Sequence, residues 1–345
     1  MKKIFCLLLS LIMLFSLPVF AQAETLPGGP IDSDDNAELI NPYLEKTSAP
    51  TGAVAVAKSL NTGEVYYYRV SGAVITAVEN GLNSKPGWMP DNASLDAVIP
   101  EDGDSRTLVT NTQTSPHSAI ALISVVHQAP SGQTFPSVST AVMIGPDVAL
   151  TTAHSLYHDT YGWPIAVMIM PALNTLLAGA SAAPYGYAYA SEVAIGLPYY
   201  ENRQDTHDWG VVKFRTSIGN TSGYLGFRYE TRYIPHIEGH SVSLCGYPGD
   251  KNNNFQDANG NLVACQYIAS GPIHGDVTHT TTKYDGTIVS YRQFQFYIDA
   301  HEGQSGSPIL YESQVIGVYQ GGPSTTVNTG VGITDQLFSF LWSYT

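Results

Sequence analysis

Ser139-Thr-Ala-Val-Met-Ile-Gly-Pro-Asp-Val-Ala-Leu-Thr-Thr-Ala-His154 is two short apolar runs folded about a turn. Gly145-Pro146-Asp147 makes the turn: glycine frees φ, proline fixes it, and aspartate bonds its own backbone. The flanking runs, Ser139–Ile144 and Val148–Thr152, are bounded by turn residues and read as strands. The second run stops at His154. A histidine at a strand end is usually a hydrogen-bonded surface residue. It acquires a chemical meaning when the chain also supplies a nucleophile and an acid.

Both are present. Thr206-His-Asp208-Trp-Gly-Val-Val-Lys-Phe214 sets an aspartate just before an alternating strand. Asp299-Ala-His-Glu-Gly-Gln-Ser305-Gly-Ser-Pro308 is a polar, glycine-punctuated loop between apolar runs. A serine between glycines presents its hydroxyl on a tight turn. The backbone N–H groups of Gly303 and Ser305 can then converge on one developing oxyanion. Taken singly, Asp208 and Ser305 read as turn residues, and the Gly-x-Ser-x-Gly elbow pattern is not met. Taken together, in the order His154, Asp208, Ser305, the three point to acyl transfer through a serine nucleophile.

Outward from these sites the pattern stays β. Ala119–Val126, Gly210–Phe214, Ser241–Leu244, Leu262–Ala269, Ile288–Ile298 and Val315–Tyr319 are further strand-like runs, separated by recurrent glycine-rich turns. That is the rhythm of β-barrels. In this reading only Asp335–Tyr344 is helical, with Leu337, Phe338, Phe340 and Leu341 on one face.

The N-terminal part differs. Lys2 and Lys3, the apolar run Ile4–Leu17 and Ala21-Gln-Ala23 make residues 1–23 a secretory signal peptide. The run is short for a membrane span. Residues 24–97 read as a propeptide, bounded by Pro-, Gly- and Asn-rich stretches. Within it Ala53–Ala57 and Glu64–Val70 flank Asn61-Thr-Gly63 as a hairpin. A retained N-terminal domain is the alternative. Residues 98–345 then form the functional domain. Loss of Cys6 with the signal leaves Cys245 and Cys265, which an exported protein can join in one disulfide. At 43% apolar and 13% charged residues the chain is globular, not disordered. A net charge of −14 argues against nucleic acid or anionic membranes as partners. There is no Cys/His metal spacing and no nucleotide-binding glycine loop, so no metal or cofactor is expected. The partners expected are protein or peptide substrates, and the state expected is an extracellular monomer.

From about Val98 onward the chain resembles the secreted bacterial glutamyl endopeptidases, a branch of the chymotrypsin-like serine proteases. The likeness rests on Val98-Ile-Pro-Glu-Asp-Gly-Asp-Ser-Arg-Thr107, Thr151-Thr-Ala-His154, Asp208-Trp-Gly-Val-Val-Lys213, Ile218–Tyr224, Gly246–Lys251 and Gly303-Gln-Ser-Gly-Ser-Pro308. It implies two antiparallel six-stranded barrels with the site between them. It makes His154, Asp208 and Ser305 catalytic and Gly303 and Ser305 the oxyanion hole. Two departures stand out. The cysteine pair that Bacillus-type members carry beside the histidine is replaced by Ser139 and Ser155. Gln304 stands where trypsin-type enzymes carry the aspartate that receives a new N-terminus.

Specificity is less legible. The resemblance puts Asp299, Ala300, Tyr319, Gly322 and Gly330 around the substrate side chain. The hydroxyl and histidine that hold an acidic side chain in the family are Ala300 and Tyr319 here. His301 and His236 are candidate substitutes for that histidine. Three readings follow: cleavage after Glu or Asp, cleavage after Lys or Arg drawn by Asp299, and a catalytically silent binding relative.

Overall fold

The computed structural model describes residues 43–89, 103–177, 179–229, 239–282, 288–322 and 327–345. The signal segment, Cys6, His236 and the stretch around Val98 lie outside the described residues.

In chain order, β1 (Leu44–Thr47), β2 (Ala55–Ser59) and β3 (Val65–Val70) precede α1 (Gly72–Glu79) and β4 (Ser84–Lys85). The expected hairpin forms: β2 and β3 pair from Ala55↔Tyr68 to Lys58↔Val65. Its turn uses Gly63 at φ +78°, a conformation that suits glycine. After β5 (Thr107–Leu108) comes a barrel of β6 (Ile120–Gln128), β7 (Thr134–Met143), β8 (Val148–Thr151), β9 (Ala166–Pro171), β10 (Ala188–Gly196) and β11 (Gly210–Phe214). Short helices α2 (Ala153–Leu156), α3 (Leu197–Asn202) and α4 (Gly219–Ser222) follow β8, β10 and β11. After β12 (Phe227–Arg228), a second barrel holds β13 (Ser241–Gly246), β14 (Tyr267–Thr282), β15 (Ile288–Phe296), β16 (Pro308–Tyr311), β17 (Gln314–Gly321) and β18 (Asn328–Gly332). The chain ends in α5 (Asp335–Tyr344).

Both barrels are six-stranded, antiparallel and closed. The first closes where β9 meets β10 at Ile169↔Ala188 and Met168↔Tyr189. The second closes through β16 and β17. Closure removes the open edges that would otherwise invite aggregation. β6 and β8 are nearly continuous apolar runs because both their faces are buried. α5 packs Leu337, Phe338, Phe340, Leu341 and Tyr344 inward, and Thr334 caps it by accepting the Leu337 N–H at 3.2 Å. Losing such a cap costs about 1 kcal/mol.

Among the elements that escaped the sequence reading, besides β9 and the short helices α2, α3 and α4, three have plain physical reasons. β10 carries Ser191 and Glu192 in the middle of an apolar strand. β18 is glycine-rich, which blurs its alternation. α1 is only eight residues long and shows no side-chain cap.

The expected Cys245–Cys265 disulfide does not form: both thiols are free and buried. Cys245 lies opposite Ile268 in the β13–β14 ladder, whereas Cys265 precedes β14, and each thiol has its own neighbours. Cys245 Sγ sits 3.4 Å from His117 Nδ1, and Cys265 Sγ 3.7 Å from Asn174 Oδ1. Burial pushes the Cys245 thiol well above the ordinary range. Chain lacking residues 1–23 should therefore show no thiol reactive toward a disulfide reagent while folded and two once denatured. Its melting temperature should be unchanged by reductant. Absence of thiols in the denatured chain would contradict the free pair.

Candidate active site

His154 occupies α2, a single turn that follows β8. Two atoms of His154 meet Asp208: its backbone N–H donates to Asp208 Oδ1 at 2.8 Å, and its Nδ1 lies 2.6 Å from Oδ2. This two-point contact fixes both the backbone and the ring. It also selects the tautomer with the proton on Nδ1, leaving Nε2 as the acceptor. The Asp208 side chain is 2% exposed and that of His154 37%, so the acid is shielded and the base faces outward. Burial of the ring lowers the His154 pKa. The Asp208 charge and hydrogen bond, with the Asp205 charge behind them, outweigh that, and the net position is above the ordinary 6.5.

Asp208 is set by a tight 3₁₀ turn, Asp205–His207, which brings the Asp208 N–H to the Asp205 carbonyl at 3.1 Å. The next residue, Trp209, is buried and packs against Phe340 with ring centroids 5.4 Å apart. Strand, turn and aromatic anchor thus hold the acid under the base.

The Ser305 loop comes from the second barrel and is clamped to the first. Ser305 O accepts from Thr140 N and from Ser139 Oγ, each at 2.9 Å. Gly306 N–H donates to Tyr319 O at 2.8 Å. Ser305 Oγ lies 3.4 Å from the Gln320 carbonyl. Among the described residues no hydrogen bond joins it to His154, a separation common before substrate binds. Ser139 and Ser155 are 2.8 Å apart at Oγ. Ser139 gives its single hydrogen to a carbonyl, so the chain runs Thr152 to Ser155 to Ser139 to Ser305 O. A hydroxyl relay therefore ties the turn that carries His154 to the loop that carries Ser305.

Gly303 has φ +94°, and a β-carbon there would stand 2.6 Å from Tyr247 O. Gln304 is fully buried. Its N–H donates to His301 O at 3.0 Å and its Oε1 accepts His301 N–H at 2.9 Å, locking the loop onto itself. Among the described residues, the Gly303 and Ser305 N–H groups have no internal acceptor.

Of the residues expected around the substrate side chain, Tyr319 and Gly330 face each other across β17 and β18, and each residue has partners of its own. Asp299 Oδ2 accepts both Ser105 N–H and Ser105 Oγ–H at 2.7 Å. Ala300 packs on the core of the second barrel. Tyr319 is buried and donates to Asn328 Oδ1 at 3.0 Å; burial pushes its phenol to about 12. A β-carbon on Gly330 would meet Ile309 Cδ1 at 2.4 Å, so its smallness serves packing within the barrel. Gly322 is exposed. His301 turns to Asp250, 3.6 Å away. Gln320, Ser105 and Asn328 were not singled out from the sequence. Lone polar residues without spacing partners carry no signal of their role. Gln320 Nε2 reaches Asp205 O at 3.2 Å and so spans the two barrels beside the site.

Among the described residues no group of three or more His, Cys, Asp or Glu is gathered to hold a metal ion. None of their helices is long and apolar enough to cross a membrane.

Known proteins share this fold. The chain is 26% identical to a glutamyl endopeptidase of Bacillus licheniformis (strain ATCC 14580), covering 94% of this chain and 90% of that protein. It is 25% identical to an extracellular metalloprotease of Bacillus subtilis (strain 168), covering 68% of this chain and 66% of that one. A solved structure of a Glu endopeptidase in complex with MPD superposes with a TM-score of 0.55 at 26% identity, over 72% of this chain and 98% of that one. The trypsin family model matches residues 109–340. The chain belongs to the trypsin family, and its likeness to the glutamyl endopeptidases marks it as a serine endopeptidase of that type.

Proposed function

We propose that Ser305, His154 and Asp208 carry the endopeptidase chemistry. The observation behind this is the two-point hold of Asp208 on His154, with Ser305 on a loop tied to the same barrel by Thr140 and Ser139. Ser305 Oγ attacks the peptide carbonyl while His154 Nε2 takes its proton. Asp208 keeps the ring in the required tautomer and stabilises the imidazolium. The oxyanion is received by the Gly303 and Ser305 N–H groups. Collapse breaks the C–N bond as His154 returns the proton to the leaving amine. Water, deprotonated by the same imidazole, then releases the acyl group.

The preferred residue before the cleaved bond is proposed to be Glu or Asp. Similarity to a glutamyl endopeptidase over nearly the whole chain supports this. So does the engagement of Asp299, whose Oδ2 is already taken by two Ser105 donors and thus serves as an anchor for the Ser105 segment. An acidic side chain needs donors or a nearby cation, since an unpaired buried charge costs several kcal/mol. Arg106 bears on the Tyr319 hydroxyl, but its guanidinium is itself held by Asp104 and Asp250. The second reading is cleavage after Lys or Arg. It is favoured by one observation, that Asp299 Oδ1 has no donor among the described residues.

Three outcomes follow. Ser305→Ala should lower peptidase turnover by about 10⁴-fold or more with folding intact; activity within a few-fold of the parent would remove Ser305 from the mechanism. Only neutral His154 can accept the Ser305 proton, and its pKa is raised. The acid limb of kcat/KM should therefore have its midpoint above 6.5, and Asp205→Asn should move that midpoint down. A pH profile with the same midpoint in both proteins would contradict this source of the shift. In peptides differing at one position, cleavage should be faster after Glu than after Arg. Faster cleavage after Arg that disappears in Asp299→Asn would establish the second reading instead.

A further inference from the structure

Residues 43–89 pair with the first barrel through β2 and with β12, on the sheet of the second barrel, through β4. β2 pairs with β10 from Ala55↔Gly196 to Ser59↔Glu192, using the part of β10 that the β9 closure leaves open. Leu60 N–H donates to Ser191 O at 2.8 Å and Leu197 N–H to Val54 O at 3.2 Å, so the ladder continues at both ends. Ala55, Val56, Ala57, Tyr66, Val74 and Val78 are buried in the same core as the barrel strands and α5. Farther along, Trp88 and Tyr224 exchange backbone hydrogen bonds at 2.9 and 2.7 Å. Lys85 Nζ donates to Trp342 O at 3.2 Å and Thr345 Oγ1 at 2.6 Å, at the end of α5.

One side chain concentrates the contact. Glu192 of β10 accepts hydrogen bonds from Tyr66, Tyr68 and Tyr344. Two of these donors belong to β3 and one to α5. Lys46 lies over the Tyr66 ring at 3.7 Å and Lys213 over the Tyr344 ring at 5.5 Å. Among the described residues no hydrogen bond runs from 43–89 to His154, Asp208 or the 299–308 loop. The hydrogen bonds described for the segment thus lie on the outer edge of β10, on β12 and at the end of α5. Backbone pairing, a shared core and a carboxylate that needs its donors all hold without a covalent link.

We propose that residues 43–89 are a strand-adding partner of the first barrel, which stays bound once the chain is cut between 89 and 103 and leaves the cleft open to substrate. The occupant of the β10 face is thus this chain's own N-terminal segment, acting as a second chain of the processed enzyme.

The test uses the full chain with Ser305→Ala and a site-specific protease sequence inserted between 89 and 103. After cutting, the two pieces should co-elute in equal amounts on a native sizing column and separate in concentrated urea. Tyr66→Phe with Tyr68→Phe, which removes hydroxyls from the segment alone, should speed its release by about tenfold. Separation of the parent pieces on the native column would overturn the proposal, as would equal release rates with and without the hydroxyls. These arms stand whether or not Ser305 is the nucleophile. In the chain with Ser305 intact, peptide cleavage should appear in fractions that still contain the segment. Activity confined to fractions without it would overturn the claim of an open cleft.

Discussion

Gly306 has no room for one more carbon. A β-carbon there would stand 2.2 Å from the Thr140 carbonyl and 2.2 Å from Thr151 Oγ1. That seam is where the second barrel touches the first, and the site depends on it. With Gly306 bare, Ser305 O comes within reach of Thr140 N and Ser139 Oγ. The loop that carries Ser305 is then referenced to the same β7 strand whose neighbour β8 leads into α2 and His154. A shift of about 1 Å between reacting groups is enough to cost orders of magnitude in rate. A steric stop with two hydrogen bonds is an economical way to prevent it.

Ser139 and Ser155 tie the histidine turn to the Ser305 loop by hydrogen bonds alone. A disulfide would constrain the unfolded chain as well as the folded one. The Ser139–Ser155 pair works only in the folded state, and each net hydrogen bond in it contributes about 1 kcal/mol. What the hydroxyls add is direction: the relay ends on the Ser305 carbonyl, which a cystine could not donate to. Gln304 holds the same loop from beneath. Its side chain and backbone both bond to His301, so the loop beneath the oxyanion donors is closed by its own residues.

The first barrel also carries an acid in an unusual setting. Glu192 interrupts an apolar strand, and its removal from water pushes its carboxyl up to about 7, against the Tyr344 hydrogen bond and the Lys213 and Lys46 charges. A group of that kind is tolerated only where donors surround it. Here they come from β3 and from α5, so the two ends of the described chain converge on one residue in the middle of it.

Much was determined by sequence alone. The alternation around Gly145-Pro146-Asp147, the strand after Asp208 and the apolar face of α5 set an all-β architecture, because period and turn chemistry are local properties. The order of histidine, aspartate and serine narrowed the chemistry, because each residue type has a distinct role. Tertiary structure alone decided what depends on distance between remote residues. It gave Cys245 and Cys265 separate neighbours, turned Asp299 to Ser105, and made Gly330 a packing position. It joined β2 to β10, which no local pattern signals, because β10 hides its strand character behind Glu192 and pairing partners are chosen by the whole fold.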